Sequence, residues 1–291
     1  MGVHADEVTA GQRFEFGKNW AHFLAVLNDD RIRHAEESLR ELLSVDDLAG
    51  LSFIDVGSGS GLFSLAARRL GARVHSFDYD PKSVACTAEM KRRYFPGDGN
   101  WVVHEGSVLN DDYLKSLGQF DVVYSWGVLH HTGAMWQAMT NVISLVRPGG
   151  KLFIAIYNDQ GYKSRWWRRL KKAYNEISWS RPFLLAYVLA RGWGPQTLLD
   201  LFRGRPFFSW REYKRQRGMS PWHDVVDWIG GWPYEYATPE AVFDFYREQG
   251  FTLSKLVTRQ GLGCNEFVFL RNNEAPVRAQ DKKSAPAAHH E

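Results

Sequence analysis

Glycines crowd a short segment directly after an apolar run, where residues 54–61 read IDVGSGSG. Because glycine has no Cβ, such a loop lets backbone N–H groups approach a bound ligand closely. The spacing is G-x-G-x-G with Leu62 next, whereas a dinucleotide fingerprint requires G-x-G-x-x-G. Asp55 lies two residues before the first glycine, where it can anchor the loop. The segment therefore predicts a small-molecule site, and its spacing argues against a dinucleotide.

A second acid, Asp78, ends the next predicted strand, 21 residues after Gly57. A carboxylate at that place can accept hydrogen bonds from both ribose hydroxyls of an adenosine. The alternative is that Asp78 caps the following helix, but Asp80 followed by Pro81 already supplies that helix start. The ribose role is therefore favoured over the capping role.

Strands and helices alternate around these two acids. Apolar runs predict strands at 51–56, 73–78, 101–103, 120–124 and 151–157, and helical spacing predicts helices at 19–43, 62–70, 135–146 and 238–249. This alternation indicates a parallel sheet with helices on both faces. Two later strands, 251–257 and 266–270, have no helix between them and should form an antiparallel hairpin. The predicted fold is α/β, a doubly wound, seven-stranded, mostly parallel sheet whose last strand is antiparallel.

The composition changes after the fifth strand. Residues 160–220 hold 14 Lys or Arg against three acidic residues, although the whole chain carries a net charge of only +3. Eight of the 12 tryptophans lie within residues 160–236, which we interpret as a helical, Trp-rich substrate cap inserted into the core. The other predicted parts are an N-terminal helical segment at 1–48 with a loose start at 1–12, a core at 49–159 and 237–271, and a disordered tail at 272–291.

The first predicted helix of this cap, 162–177, has an apolar face opposite a basic face. The basic face comprises Arg165, Arg168, Arg169, Lys171 and Lys172. It could be a solvated surface, the binding site of an anionic substrate, or a membrane-surface helix that reaches a lipid-like acceptor.

Together these motifs resemble the class I S-adenosylmethionine-dependent methyltransferases. The resemblance covers residues 50–158 closely and 238–271 in outline, and it includes FDVV at 120–123 and LVRPGG at 145–150. It implies S-adenosylmethionine as the cofactor. The positions that match the family's cofactor site are Asp55, Gly57, Ser58, Gly59, Gly61, Asp78, Tyr79, Ser107, Val108, Ser125 and Trp126. Ser107 stands where the family often has Asp, which leaves the Val108 backbone as the contact expected there.

The segment VLHH at 128–131 is similar to methyltransferases of the ubiquinone-pathway and natural-product kind, which modify small molecules. O-methylation of a small molecule is the favoured reaction, and the basic face of the helix at 162–177 would suit an anionic or lipid-like acceptor. Residues 13–20 lie where such enzymes use a leading helix to cover the cofactor, although Phe16 and Trp20 could equally be core aromatics.

Methyl transfer needs an in-line nucleophile, a water-poor site and sometimes a base. The base candidates are His131 and Asp159, and a neutral His base would give a rate that rises with pH near about 6.5. Adjacent histidines point in different directions, so no metal site is predicted. The predicted substrate contacts are Tyr157, Asn158, Trp166, Trp222 and His223, with Trp166, Trp167 or Trp222 near the methyl group.

Several function classes become less favoured. With only Cys86 and Cys264, a disulfide framework is excluded, and no apolar run reaches the roughly 18 residues of a membrane span, so we expect a soluble cytoplasmic protein. Three alternatives remain open: an NAD-binding oxidoreductase, a non-catalytic S-adenosylmethionine-binding module, and a nucleic-acid methyltransferase guided by the basic segment. Enzymes that methylate nucleic-acid bases carry an Asn/Asp-Pro-Pro-Tyr motif after the fourth strand. This sequence reads SWG at 125–127 instead, so no nucleic-acid partner is expected. Peripheral membrane contact and oligomerisation remain open.

Overall fold

The computed structural model describes residues 3–217 and 221–273, apart from the side chains of residues 18, 19, 21, 22, 214–217, 221, 223 and 227. The predicted disordered tail therefore lies outside the described residues, except for positions 272 and 273. Within the described part, no helix is both long and apolar enough to cross a membrane.

Seven strands form one sheet in the order β3-β2-β1-β4-β5-β7-β6. The strands are β1 Ser52–Val56, β2 Arg73–Asp78, β3 Trp101–Glu105, β4 Phe120–Trp126, β5 Val146–Tyr157, β6 Phe251–Val257 and β7 Cys264–Arg271. The first five pair in parallel, and β7 is antiparallel to both of its neighbours. The predicted doubly wound sheet with an antiparallel last strand is confirmed. The carboxyl ends of β1 to β5 consequently share one edge, where ligands bind in such folds.

Helices flank the sheet. They are α1 Val3–Thr9, α2 Gly17–Ala25, α3 Asp29–Leu43, α4 Leu62–Arg69, α5 Pro81–Tyr94, α6 Asp111–Leu117, α7 Met135–Ile143, α8 Tyr162–Glu176, α9 Arg181–Phe202, α10 Phe208–Arg217, α11 Pro221–Gly230 and α12 Pro239–Glu248, and α8 to α12 follow β5 in the chain. The Asp80 side chain accepts a hydrogen bond from the backbone N–H of Lys82, which confirms the predicted start of α5. Thr238 caps α12 in the same way.

The core has two layers because successive strand residues point to opposite faces of the sheet. On β1, Phe53 belongs to the layer under α3 and α4, and the adjacent Ile54 belongs to the layer under α7 and α12. Both side chains are fully buried. The two apolar layers hold the strand ends, and hence the site, in a fixed arrangement.

Several local predictions were wrong. Residues 3–9 form α1 rather than a loose end, and α6 occupies a segment that was not predicted as a helix. The helix expected over 135–146 ends at Ile143, and β5 begins at Val146 rather than at Lys151. Residues 147–150 of the LVRPGG motif lie within β5, and the pairing register shifts there between Phe120 and Val122 of β4.

Candidate functional site

The loop after β1 uses its glycines for close packing. Gly57, Gly59 and Gly61 all have positive φ angles of 80°, 54° and 80°. A Cβ on Gly57 would lie 2.4 Å from a methyl group of Val128, just beyond β4. A Cβ on Gly61 would lie 3.0 Å from Cα of Thr87 on α5. Gly57 and Gly61 are therefore required both by the left-handed backbone of the loop and by the close approach of Val128 and Thr87.

Several backbone N–H groups of this loop have partners within the protein. Gly57 and Ser58 both donate to the carbonyl oxygen of Phe77, at 2.9 and 3.0 Å, and Gly61 donates to the carbonyl of Ser58 at 2.8 Å. The Ser58 hydroxyl lies 2.9 Å from that of Thr87, so its side chain binds α5. These N–H groups are thus engaged within the fold, and the close approach of a ligand to the loop backbone stays a prediction.

Asp78 is fixed at the end of β2 by two backbone donors. One carboxylate oxygen accepts the N–H of Gly59 at 2.9 Å, and the other accepts the N–H of Asp80 at 2.9 Å. Burial raises the pKa of Asp78 to about 6. A carboxylate offers about four acceptor positions. Each oxygen therefore retains acceptor capacity for a ligand carrying two adjacent hydroxyls.

Asp55 lies behind the loop as an anchor. The carboxylate accepts the Ser64 hydroxyl at 2.5 Å, and Ser64 accepts the Ser76 hydroxyl at 2.7 Å. This series of hydrogen bonds continues to Trp101, whose indole N–H donates to the Ser76 hydroxyl at 2.9 Å. Burial raises the pKa of Asp55 to about 7, and the nearby charge of Asp78 adds to this shift. Asp55 thus joins β1 to α4, as expected of a loop anchor.

The remaining predicted cofactor residues lie around the same edge in different roles. The Ser107 hydroxyl accepts the N–H of Leu109 at 3.2 Å, and the Val108 carbonyl accepts the amide of Asn141 at 2.9 Å. The buried Ser125 hydroxyl donates to the carbonyl of Val56 at 3.0 Å, which ties β4 to β1. Ser125 is therefore a structural contact between strands.

Two aromatic side chains at this edge make longer-range contacts. Trp126 is exposed, and its indole N–H donates to Glu266 at 3.1 Å. The ring of Tyr79 lies 5.4 Å from that of His4 and under the guanidinium of Arg13 at 4.9 Å. Tyr79 thus connects the end of β2 to the N-terminal segment.

That N-terminal segment lies across the edge from β2 to the residues after β4. The backbone N–H of Gly17 donates to Asp80 at 2.7 Å, and Arg13 donates to the carbonyl of His131 at 3.0 Å. Trp20 lies against the loop, where a Cβ on Gly59 would meet its indole at 3.1 Å. Residues 13–20 are therefore in place over the glycine loop.

His131 lies on the β4–β5 side of the edge. The Nδ1 atom is 2.6 Å from the carbonyl oxygen of Pro233. Because a carbonyl can only accept, Nδ1 carries the proton and Nε2 keeps a lone pair. Burial lowers the pKa of His131 to about 3, and the positive charge of Lys171 contributes. The expected titration near 6.5 is therefore wrong, and the imidazole is neutral at physiological pH.

Lys171 is a functional candidate that the sequence analysis placed on the wrong side of α8. Predicted on the exposed basic face of α8, it is fully buried instead. The ammonium group donates to the carbonyl of Trp228 and lies 4.3 Å from the Trp228 ring centroid and 4.9 Å from that of Tyr234. The buried residues of α8 are Ser164, Lys171, Tyr174 and Asn175. The helix thus turns a polar face inward.

Aromatic rings complete this half of the site. The Tyr157 ring, at the end of β5, lies 4.0 Å from His130, 5.0 Å from Tyr234 and 5.9 Å from Trp228. The Trp228 ring also contacts Trp167 at 5.6 Å. Helices α8 and α11 therefore meet the carboxyl edge of the sheet at Tyr157.

Other predicted residues are not where they were expected. Asn158 uses its amide to hold the β6–β7 loop, donating to the carbonyls of Arg259 and Gly261 at 3.2 Å each, and its substrate contact stays a prediction. Trp166 and Trp222 lie half exposed on their helices, and Trp167 and Trp228 take the inner positions. The side chain of His223 lies outside the described residues.

Asp159 is half-buried at the start of α8. The carboxylate accepts the backbone N–H of Gly161 at 2.7 Å. The pKa values of Tyr234 and Tyr236 are raised chiefly by burial, and the charge of Asp159 adds to both shifts. Asp159 therefore lies close to the aromatic half of the site while also fixing the first turn of α8.

A cavity of about 300 Å³ lies among α8, α9 and α11. The lining residues are Trp167, Val188, Arg191, Gly192, Trp193, Asp224, Val225 and Trp228. Since Trp228 also contacts Tyr157, this cavity adjoins the aromatic end of the site.

Comparison with known proteins gives a consistent result. A family model described as a methyltransferase domain matches residues 23–215. The ubiquinone biosynthesis O-methyltransferase of Xanthomonas euvesicatoria pv. vesicatoria is 31% identical over 135 residues, which is 46% of this chain and 52% of that protein. This chain spans about half the length of the curated relatives it matches.

Solved structures share the fold at low sequence identity. PKMT2 from Rickettsia typhi, in complex with AdoHcy, superposes with a TM-score of 0.54 at 12% identity, covering 84% of this chain and 54% of that one. Magnesium protoporphyrin IX methyltransferase from Synechocystis PCC 6803, with bound SAH, has a TM-score of 0.50 at 14% identity, and the match covers 83% of each chain.

Proposed function

The chain belongs to the class I S-adenosylmethionine-dependent methyltransferases, and we propose that it transfers a methyl group from S-adenosylmethionine to an oxygen atom of a small acceptor molecule. The observation that carries the proposal is the carboxylate of Asp78, held at the end of β2 beside the Gly57–Gly61 loop by two backbone N–H donors. The similarity to ubiquinone biosynthesis O-methyltransferases supports oxygen as the acceptor atom.

The residues around the loop fit this cofactor. Asp78 retains acceptor capacity for the two ribose hydroxyls, and a charge-assisted contact of this kind contributes about 1.5–3 kcal/mol. The cofactor supplies a methyl group on a positively charged sulfonium, which is already activated for transfer. Trp20 and Arg13 hold the leading segment over the loop, and this arrangement supports a covering role for residues 13–20.

The acceptor would bind on the other side, near Tyr157. The rings of Tyr157, Trp228 and Tyr234 offer apolar surface, and Lys171 brings a positive charge into the same buried cluster. A positive charge near a hydroxyl favours its ionised form and so lowers its pKa. The cluster therefore suits an aromatic or lipid-like acceptor with an acidic hydroxyl.

Proton removal would then depend mainly on acceptor acidity. An efficient general base has a pKa near the working pH, whereas the pKa of His131 is about 3. The free Nε2 lone pair of His131 would accept a hydrogen bond from the acceptor hydroxyl and orient it. Asp159 is the remaining candidate for a base. The segment 160–236 would act as the cap, excluding water through the contact between Trp228 and Tyr157.

The test is methyl transfer to a panel of phenols, catechols and aliphatic alcohols, followed by mass spectrometry. We expect O-methylated products from the acidic phenols and none from the aliphatic alcohols. Methylation of amines alone, or equal rates for phenols and aliphatic alcohols, would contradict the proposed acceptor chemistry.

A further inference from the structure

Residues 179–211, which include α9 and the start of α10, expose large apolar side chains. Phe202 is 88% exposed, Trp179 75% and Phe183 70%. We call the outward surface of residues 179–211 the apolar-basic face. Its exposed apolar residues are Trp179, Phe183, Tyr187, Leu198, Leu199, Leu201, Phe202, Phe207 and Phe208. So many large apolar side chains exposed within one short stretch are typical of an interaction surface.

The opposite side of α9 is packed against the insertion. Val188 is buried in a small core with Val225 and Ile229 of α11. The ring of Trp193 contacts Trp210 at 5.6 Å and Tyr213 at 4.9 Å. These contacts fix which side of α9 faces outward, so the exposed rings belong to a built surface.

Exposed arginines occur in the same stretch as the exposed rings. Arg203, Arg205 and Arg211 are exposed. Arg181 is exposed too but donates to the carbonyls of Tyr174 and Asn175 at 2.9 and 3.1 Å, and the exposed Arg191 lines the cavity among α8, α9 and α11. Residues 179–211 contain one acidic residue, Asp200. Its side chain is buried and accepts hydrogen bonds from the N–H and the hydroxyl of Ser209 at 2.8 and 2.9 Å. The face is therefore apolar and positively charged together.

We propose that the apolar-basic face binds the surface of an anionic lipid bilayer. Aromatic side chains would enter the boundary between headgroups and acyl chains, and the arginines would contact anionic headgroups. A second copy of the chain is a poorer occupant, because a symmetric contact would bring the arginines of two identical faces together. Membrane binding would bring the enzyme to a lipid-like acceptor, and this link rests on the proposed function. In support of that link, α9 also lines the cavity that reaches Trp228.

The experiment is vesicle flotation of the full chain. Vesicles of equal parts phosphatidylglycerol and phosphatidylcholine should carry the protein upward, whereas vesicles of phosphatidylcholine alone should retain much less. The double variant Phe183→Ser/Phe202→Ser should weaken partitioning at least about tenfold. The double variant Arg203→Glu/Arg205→Glu should weaken it at least about 25-fold, and high salt should weaken the wild type.

Matched controls lie elsewhere on the surface. Val102→Ser/Leu256→Ser replaces exposed apolar residues of β3 and β6, and Arg33→Glu/Arg92→Glu reverses exposed charges of α3 and α5. Both controls should float like the wild type, which separates a specific face from general hydrophobicity or net charge.

The proposal is overturned if the wild type does not float with anionic vesicles, or if the controls lose as much binding as the face variants. Concentration-dependent dimerisation without vesicle binding, abolished by the same face variants, would instead assign the face to a subunit contact. S-adenosylhomocysteine calorimetry on every variant keeps the two proposals apart. If the wild type does not bind S-adenosylhomocysteine, the proposed function fails and the membrane proposal stands. If the wild type binds S-adenosylhomocysteine but does not float with anionic vesicles, only the membrane proposal fails.

Discussion

The two halves of the carboxyl edge are built in different ways. At β1 and β2, Asp55 and Asp78 are held by hydrogen bonds from residues close in sequence, such as Ser64, Gly59 and Asp80. At β4 and β5, the cluster around Tyr157 draws Lys171, Trp228 and Tyr234 from a segment inserted after the strands.

This difference suggests that the first half recognises a constant ligand and the second half a ligand particular to this protein. The first half presents carboxylates on rigid backbone, which suits the recognition of one constant ligand. The second half has a buried cation, a neutral imidazole and aromatic rings, whose arrangement depends on the packing of α8 and α11. Under the proposed function, changes in residues 160–236 would therefore alter the proposed acceptor side and leave the proposed cofactor side intact.

The largest expected effect tests the packing of the first half. Gly57→Ala should lower the free energy of unfolding by about 2–4 kcal/mol, because it adds a left-handed alanine and a Cβ against Val128. The double variant Gly57→Ala/Val128→Ala should recover the steric part of the loss, as measured by chemical denaturation. An unchanged stability in Gly57→Ala would mean that the loop adjusts and that packing does not require this glycine.

Asp78→Ala should reduce affinity for S-adenosylhomocysteine by roughly 10- to 150-fold, since the ribose hydroxyls lose a charged acceptor. Asp78→Asn, which keeps one oxygen acceptor, should lose less. Glu89→Gln on the exposed side of α5 is the matched control and should bind normally in the same calorimetric titration. Equal affinity in wild type and Asp78→Ala would remove the ribose role and, with it, the distinction between the two halves.

The pH dependence of stability tests how Asp55 is held. Burial raises its folded-state pKa from 3.8 to about 7, so its contribution to stability is complete at low pH and is lost as the pH rises through 7. Relative to Asp55→Asn, the wild type should therefore lose about 1–2 kcal/mol of unfolding free energy between about pH 5 and 8. Parallel stability curves for the two proteins would show that Asp55 is ionised in the fold.

The smallest expected effect concerns the second half. Lys171→Met should raise the pKa of His131 above its value of about 3, because one repulsive charge is removed. That pKa should stay below 6.5, since burial remains its largest cause. Imidazole NMR chemical shifts across a pH titration measure it, with Lys172→Met on the exposed side of α8 as the control. No difference between the two variants would place the charge of Lys171 away from the site.

The same contrast explains what the sequence could predict. β2 matches its predicted bounds, and the antiparallel hairpin was expected, because strand periodicity and short loops are local signals. The glycine spacing located the loop but not its partners: Val128 and Thr87 approach it from later elements. Such contacts depend on tertiary packing, which the local spacing of the glycines does not reveal.

Lys171 was misplaced for a related reason. Helical periodicity assigned the apolar residues of α8 to its inner face, as for a helix on an apolar core. Instead the inner face meets the carbonyl of Trp228 and the ring of Tyr234, which satisfy a buried ammonium group. These partners lie about 60 residues further along the chain, and no local pattern reveals them.

The central claim is that the Gly57–Gly61 loop and Asp78 bind S-adenosylmethionine. Calorimetric titration of the full chain with S-adenosylhomocysteine, and in parallel with NADH, tests it most directly. We expect saturable, micromolar binding of S-adenosylhomocysteine at one site per chain and no heat from NADH. Tight NADH binding, or no binding of S-adenosylhomocysteine by a folded protein, would contradict the claim.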